Sequence, residues 1–106
     1  MIHLYFLGLP DALLLDVVGP AEVFQYANRI NQKAGGEALY QLHFIGPTLN
    51  VNNSLGLPIQ LKPLPDTIEK GAWLIIPGLV GDDIPLTTPA INTACDWINQ
   101  QVFNRY

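Results

Sequence analysis

The stretch that decides the fold is Asp16-Val-Val-Gly-Pro-Ala-Glu-Val-Phe24, which follows the apolar run Ile2-His-Leu-Tyr-Phe-Leu-Gly8. A nearly continuous apolar run is typical of a strand covered on both faces of a parallel sheet. Proline is well tolerated at the first position of a helix, where its missing N–H costs nothing. We therefore expect a strand over Ile2 to Leu7 and then a helix from about Pro20 to Ala34.

The remaining chain repeats this alternation of strands and helices. The apolar face of the first helix is expected to carry Val23, Ala27, Ile30 and Ala34. Further strands are predicted at Leu39 to Ile45 and Ala72 to Ile76, with a hairpin formed by Leu49 to Val51 and Ile59 to Leu61 between them. Thr88-Pro89 resembles a cap followed by proline at the first helical position. The apolar stripe expected for that last helix consists of Ile91, Ala94, Cys95, Ile98 and Val102.

These elements predict an α/β fold over residues 1–106: a flavodoxin-like three-layer sandwich with a mostly parallel sheet and the hairpin at one edge. The chain ends on a helix with no returning strand, so we expect the sheet to be incomplete after that helix. An unfinished sheet exposes apolar surface. We therefore expect either self-association or a C-terminal remainder beyond Tyr106.

Composition limits the function classes. The chain has 106 residues, a net charge of -4 and only five Lys and Arg residues, which form no cluster. This distribution argues against contacts with a phosphate backbone, so we expect no direct nucleic-acid binding. One cysteine, no secretory signal pattern and no apolar run of about 18 residues predict a soluble, cytoplasmic protein without a membrane partner.

Three segments carry a family resemblance: the stretch from Asp16 to Phe24, Asn53-Ser-Leu-Gly-Leu57 and Ile75-Ile-Pro-Gly78. Together they resemble the ThiJ/PfpI family of the class I glutamine amidotransferase-like superfamily. Their sequences are most similar to those in the N-terminal domain of AraC-type transcriptional regulators. The resemblance runs from Ile2 to about Phe103 and implies the N-terminal portion of such a domain. It also implies a catalytic Cys elbow on a strand that this sequence does not contain.

Asp16 is the first candidate for a ligand-binding residue. The resemblance implies an acid beside the catalytic thiol at this position, where it can hold or receive a proton. The alternative is an aspartate that caps the turn before Gly19-Pro20. The residues alone favour the cap, and with the resemblance the two roles are evenly balanced.

Gly78 and Leu79 complete the candidate ligand site. A strand that ends at Pro77-Gly78 places backbone N–H groups at the carboxyl edge of the sheet, where open α/β sheets bind ligands. The family motif usually has a second glycine where this chain has Leu79. Because the leucine restricts the backbone, an ordinary strand-ending turn is the favoured interpretation of this segment.

The other reactive residues are assigned structural roles. Glu22 is expected in the first turn of its helix, where it complements the helix dipole. Cys95 is expected on a buried helix face, slow to react with thiol reagents. His3 and His43 fall inside strands without a metal-ligand pattern, and Asp82-Asp83 reads as a solvated turn. We therefore assign no catalytic residue, no metal and no cofactor.

Three functions remain open. The preferred one is the ligand-sensing or interaction part of an AraC-type regulator, in which a small-molecule effector biases a separate DNA-binding module. The alternative is a truncated ThiJ/PfpI enzyme, such as an isonitrile hydratase-like lyase or a hydrolase, without its nucleophile. The third is a module that acts by pairing its unfinished sheet with another chain. For this chain itself we expect no enzymatic activity.

Overall fold

The structure is a computed structural model that describes residues 1–78 and 88–104, with side chains through residue 101. Its elements follow the predicted alternation of strands and helices. In chain order they are β1 (Ile2–Leu7), α1 (Leu14–Lys33), β2 (Tyr40–Gly46), β3 (Asn50–Asn52), β4 (Pro58–Gln60), β5 (Lys62–Pro63), β6 (Trp73–Ile75) and α2 (Pro89–Asn104).

Four parallel strands form the main sheet in the order β5-β2-β1-β6. The central strand β1 pairs with β2 over its whole length, so that Tyr5 lies beside His43. The predicted parallel arrangement of β1, β2 and β6 is confirmed. Lys62–Pro63, for which no strand was predicted, pairs with the end of β2. The proline is tolerated there because an edge strand needs no donor on its free side.

The sheet is covered on both faces by helices, which gives three layers. Leu4 and Phe6 of β1 pack with Val17 and Ala21 of α1. The alternate residues of β1 face the other way, and their cluster includes Tyr5, Leu7, Ile91, Ala94 and Trp97, the last three from α2. This alternation explains why β1 is apolar at almost every position, since both of its faces are buried.

The first helix begins earlier than predicted. It starts at Leu14, so that Pro20 lies inside the helix and Glu22 is not in its first turn. The Asp16 N–H donates to the Leu13 carbonyl at 3.1 Å, which starts the first turn. Because Val17 is buried against the sheet, its packing offsets the backbone hydrogen bond that Pro20 cannot donate.

The buried face of α1 also differs from the prediction. Val23 and Ile30 were expected on its packing face, but they are 67% and 54% exposed. The face that is buried instead carries Val17, Ala21 and the polar Asn28. Asn28 donates to the Tyr40 carbonyl at 2.8 Å and accepts from the Leu39 and Tyr40 N–H groups at 2.9 Å. Backbone groups at the start of β2 therefore satisfy the hydrogen-bonding groups of the buried Asn28 side chain. A search for apolar residues at helical spacing cannot predict such a buried polar position.

Helix α2 begins where the sequence predicted, but one residue of its predicted apolar stripe is not buried. The Ile91 N–H donates to Thr88 Oγ1 at 3.3 Å, as expected of an N-cap. Cys95, however, is exposed. Trp97 takes the buried place, and its indole N–H donates to the Pro65 carbonyl at 2.6 Å. A large amphipathic ring buries more apolar area than a thiol, which accounts for the rotation of the stripe.

The predicted hairpin is present but forms a sheet of its own. Strands β3 and β4 pair antiparallel, with Val51 opposite Ile59. Asn53 holds the turn: its side chain accepts from the Leu55 N–H at 2.9 Å and donates to the Leu57 carbonyl at 2.9 Å. The hairpin is thus a compact unit beside the main sheet.

Within residues 1–78 and 88–104, no helix is long and apolar enough to cross a membrane.

Candidate functional site

Asp16 and Gly78 meet at the carboxyl edge of the main sheet, defined here as the region following the ends of β1 and β6. The Gly78 N–H donates to Asp16 Oδ2 at 2.8 Å. In the opposite direction, the Leu13 N–H donates to the Gly78 carbonyl at 2.9 Å. Both backbone groups of Gly78 are therefore tied to the start of α1, although the residues lie far apart in the sequence.

The structure decides against the capping alternative for Asp16. Since α1 runs through Gly19 and Pro20, there is no turn at that point for the carboxylate to cap. Asp16 lies in the first turn of the helix, where a negative charge is stabilised by the dipole. Its carboxylate can still accept hydrogen bonds beyond the one from Gly78, because each ionised carboxylate has several acceptor positions.

Gly78 is fitted closely against the carboxylate. A Cβ built at this position would lie 2.9 Å from Asp16 Oδ2 and 3.3 Å from Leu13 Cδ1. Any side chain would therefore push Asp16 or Leu13 aside. The neighbouring Leu79 lies outside the described residues, as do Asp82 and Asp83. The interpretation of this segment as an ordinary strand-ending turn, which rested on Leu79, therefore stays a prediction.

The hairpin turn approaches the same edge of the sheet. The Ser54 N–H donates to the Ala12 carbonyl and the Asp11 N–H to the Asn52 carbonyl, both at 2.9 Å. The joined segments carry several apolar side chains open to solvent. These are Leu13, Leu15, Leu55 and Leu57. The carboxyl edge thus combines the Asp16 carboxylate with exposed apolar side chains.

Two open grooves lie away from this edge. One, of about 570 Å³, follows the outer side of α1 and is lined by Tyr26, Arg29, Ile30, Gln32 and Lys33. The other, of about 450 Å³, includes Met1, Ile2 and Leu39 near the amino end of β1. Neither groove touches Asp16 or Gly78. The candidate site is therefore defined by the Asp16 carboxylate and its hydrogen bond to Gly78, and not by the volume of a groove.

A second polar cluster, which sequence reasoning missed, consists of His3, Tyr5, His43 and Glu69. His3 Nδ1 and His43 Nε2 are 2.9 Å apart. The Tyr5 hydroxyl donates to Glu69 Oε2 at 2.5 Å. Glu69 Oε1 lies 4.0 Å from His3 Nδ1, and the Tyr5 and His43 rings stack at 4.5 Å. The register of β1 and β2 creates this cluster, so only a correct pairing of the strands could have predicted it.

The cluster has shifted proton affinities. Burial, followed by the hydrogen bond and the charge of Glu69, raises the pKa of Tyr5 to about 12. Burial, with His3 as the next cause, lowers the pKa of His43. The hydrogen bond from Tyr5 lowers the pKa of Glu69. At neutral pH the cluster therefore contains a protonated phenol, a carboxylate and a neutral His43.

The arrangement favours a structural role for this cluster. It ties the sheet to the segment that precedes β6, because the Tyr5 hydroxyl donates to Glu69. The raised pKa of Tyr5 keeps that hydroxyl protonated at neutral pH, so it is a poor nucleophile. Within the described part of the chain, no group of three or more His, Cys, Asp or Glu side chains has the arrangement of a metal site.

Comparisons with known proteins give a match only at the level of structure. No protein-family model and no curated protein matches the sequence. Among solved structures, the chain is similar to an AraC family transcriptional regulator from Pseudomonas putida, with a TM-score of 0.64 and 16% sequence identity. The match covers 91% of this chain and 57% of the regulator's chain. The likeness shows a shared α/β fold, in which this chain corresponds to part of the regulator.

Proposed function

We propose that this chain is the ligand-sensing part of an AraC-type transcriptional regulator and forms the N-terminal portion of a ThiJ/PfpI-like domain. The observation that carries the proposal is the hydrogen bond between Asp16 and the Gly78 N–H at the carboxyl edge of the sheet. Ligands of open α/β sheets bind at that edge. The similarity of fold to an AraC family regulator supports the regulatory reading.

The chemistry of the edge defines the expected effector. Asp16 supplies a negative acceptor, and the exposed Leu13 and Leu55 supply apolar contact area nearby in the joined segments. The best fit is a small molecule with an apolar body and a positively charged or hydrogen-bonding donor group. Its binding would bridge α1 to the segment after β6, because Asp16 and Gly78 belong to those two parts. DNA contact is assigned to a separate module, since this chain has a net charge of -4.

The test compares ligand-dependent thermal stabilisation of the native chain with that of Asp16→Asn. Isobutylamine and pentylamine serve as positively charged apolar probes, isobutanol as the neutral control and propionate as the negative control. The proposal predicts that the amines raise Tm in the native chain, that propionate does not, and that Asp16→Asn reduces the shift. Asparagine keeps an acceptor for the Gly78 N–H, so the variant removes the charge while the local fold is retained.

Equal amine-dependent shifts in the native chain and in Asp16→Asn would reject the role of Asp16 in the site. Stabilisation by propionate and not by the amines would reject the charge assignment. If no probe changes Tm in either protein at concentrations that occupy weak sites, the ligand-sensing proposal fails at this edge of the sheet.

A further inference from the structure

One irregular segment connects the main sheet to helix α2. We call residues 64–72, which lie between β5 and β6, the strap. Trp97 and Gln101 of α2 donate side-chain hydrogen bonds to carbonyl groups of the strap, at 2.6 Å and 3.0 Å. On the side of the sheet, the Tyr5 hydroxyl donates to Glu69 Oε2 of the strap at 2.5 Å. Glu69 therefore connects β1 to a segment that also carries α2.

One atom of His3 lies near two possible acceptors. His3 Nδ1 is 2.9 Å from His43 Nε2 and 4.0 Å from Glu69 Oε1. The centroids of the two imidazole rings are 5.2 Å apart, and their planes are inclined by 24°. The two nitrogens therefore lie between the rings, as in an N–H···N hydrogen bond. The carboxylate of Glu69 lies beside this hydrogen bond and not within it.

The position of the carboxylate decides which imidazole donates. In an N–H···N pair, one ring supplies a proton and the other supplies a lone pair. A lone pair on His3 Nδ1 would lie close to the negative Glu69 Oε1 and would be repelled by it, whereas an N–H at that atom is attracted. The donor is therefore His3 Nδ1, and the acceptor is His43 Nε2.

Protonation of His43 removes this acceptor. A neutral imidazole accepts at one nitrogen, whereas an imidazolium carries a proton on both nitrogens and accepts at neither. A proton on His43 Nε2 would point at the N–H of His3, so the hydrogen bond between the rings has to break. Glu69 Oε1 is 4.0 Å from the released N–H group's nitrogen. A movement of about 1 Å brings the two atoms to hydrogen-bond distance.

The groups around His43 set the order of protonation. His43 stacks on Tyr5 of β1, and its charged form is affected by His3 of β1, Glu69 of the strap and Lys62 of β5. Helix α2 meets the same face of the sheet through apolar side chains. Burial, followed by His3, lowers the pKa of His43 from 6.5, and the hydrogen bond from Tyr5 lowers the pKa of Glu69 from 4.5. As the pH falls from 7, His43 therefore binds its proton while Glu69 is still a carboxylate.

We propose that His3 is the moving part of a proton-operated switch: its Nδ1–H donates to His43 when His43 is neutral and to Glu69 when His43 is protonated. In the acidic state the carboxylate accepts from both Tyr5 and His3, so β1 holds the strap through two side chains instead of one. A proton bound on β2 thus changes the contact between the sheet and the segment that carries α2. The switch is independent of the proposed ligand site, because Asp16 lies at the carboxyl edge of the sheet and His3 near the start of β1.

NMR of the native 106-residue chain, with nitrogen-15 in its histidines, tests the exchange of acceptors. The scalar coupling between His3 Nδ1 and His43 Nε2 across their hydrogen bond should be present at about pH 7.5 and should be lost below the midpoint of the His43 titration. The carboxyl carbon of Glu69 should shift with the same midpoint. A coupling that persists after His43 is protonated overturns the proposal. So does a proton found on His43 Nε2 at about pH 7.5, since His43 would then be the donor.

Glu69→Gln tests the second acceptor. The variant keeps an amide oxygen for the Tyr5 hydroxyl and removes the negative charge that receives the His3 N–H. Below the midpoint of the His43 titration, the His3 Nδ1–H should exchange with solvent at least about tenfold faster in Glu69→Gln than in the native chain at the same pH. Glu22→Gln is the matched control, because Glu22 is an exposed carboxylate on α1, and it should behave as the native chain. Equal exchange rates in Glu69→Gln and the native chain below that midpoint overturn the proposal.

Discussion

The Asp16 carboxylate and the Gly78 N–H, which lie 62 residues apart in the sequence, are joined by a hydrogen bond of 2.8 Å. Sequence reasoning named both residues for one site but had no means of establishing their contact. The bond arises because β1 and β6 are neighbours in a parallel sheet, so the segments that follow them emerge at the same edge. The position of β6 beside β1 thus brings the two residues together.

Gly78→Ala should destabilise the chain by about 1 kcal/mol. The added Cβ would lie 2.9 Å from Asp16 Oδ2, so the carboxylate has to move away from its donor. Urea unfolding measures the loss. Gly19→Ala is the control, because its Cβ would meet only Leu15 at an ordinary 3.5 Å, and alanine in a helix should be neutral or stabilising. Equal stability of Gly78→Ala and the native chain would show that the contact contributes little.

Tyr5→Phe should lower the free energy of unfolding by about 1–2 kcal/mol. The ring is buried and stays packed, while Glu69 loses the donor that lowers its pKa. The pKa of Glu69 should therefore rise towards its ordinary value, which NMR titration of the carboxyl carbon detects. Tyr26→Phe, at a residue 63% exposed, is the matched control and should be nearly silent. A silent Tyr5→Phe would contradict the assigned hydrogen bond.

Stability should fall as the pH drops from about 7 to about 5. In the folded chain the pKa of His43 lies below its ordinary value of 6.5, so the folded state binds fewer protons than the unfolded state. The stabilisation is present above 6.5 and is lost as the pH falls towards the folded pKa. Glu69, whose pKa is lowered from 4.5, extends the loss to lower pH. At the alkaline end, the pKa of Tyr5 is raised from 10.0 to about 12, so stability is lost as the pH rises through that interval.

His3→Gln separates the two causes of the His43 shift. Burial remains in this variant, but the neighbouring imidazole is gone, so the pKa of His43 should rise relative to the native chain. NMR titration of the His43 ring protons reports the change directly. An unchanged midpoint would mean that the charge of His3 does not contribute to the lowered pKa of His43.

The sequence predicted the elements whose signal is local. The apolar run of β1 and the Thr88-Pro89 start of α2 required only their own residues to be recognised. The start of α1 was wrong because the packing of Val17 against the sheet is a tertiary effect that overrides the proline signal. The His3 and His43 pair was missed for a related reason, since it depends on the register between two strands. In the candidate site, the family resemblance was enough to name Asp16 and Gly78. Their hydrogen bond could be found only from the folded structure.

The last prediction concerns Cys95, which is exposed on α2 rather than buried as its sequence pattern suggested. Because it is the one cysteine of the chain, a thiol reagent reports on it alone. It should react in the native state at a rate similar to that in denaturant, and Cys95→Ser should change the free energy of unfolding by less than about 0.5 kcal/mol.

Exposure alone does not make Cys95 a nucleophile, since it lies inside a helix and not at a strand-to-helix elbow. Hydrolase, lyase and deglycase assays should therefore show no turnover. Turnover that disappears in Cys95→Ala while stability is retained would instead assign catalysis to this thiol, whereas slow labelling of the native chain would contradict its exposure.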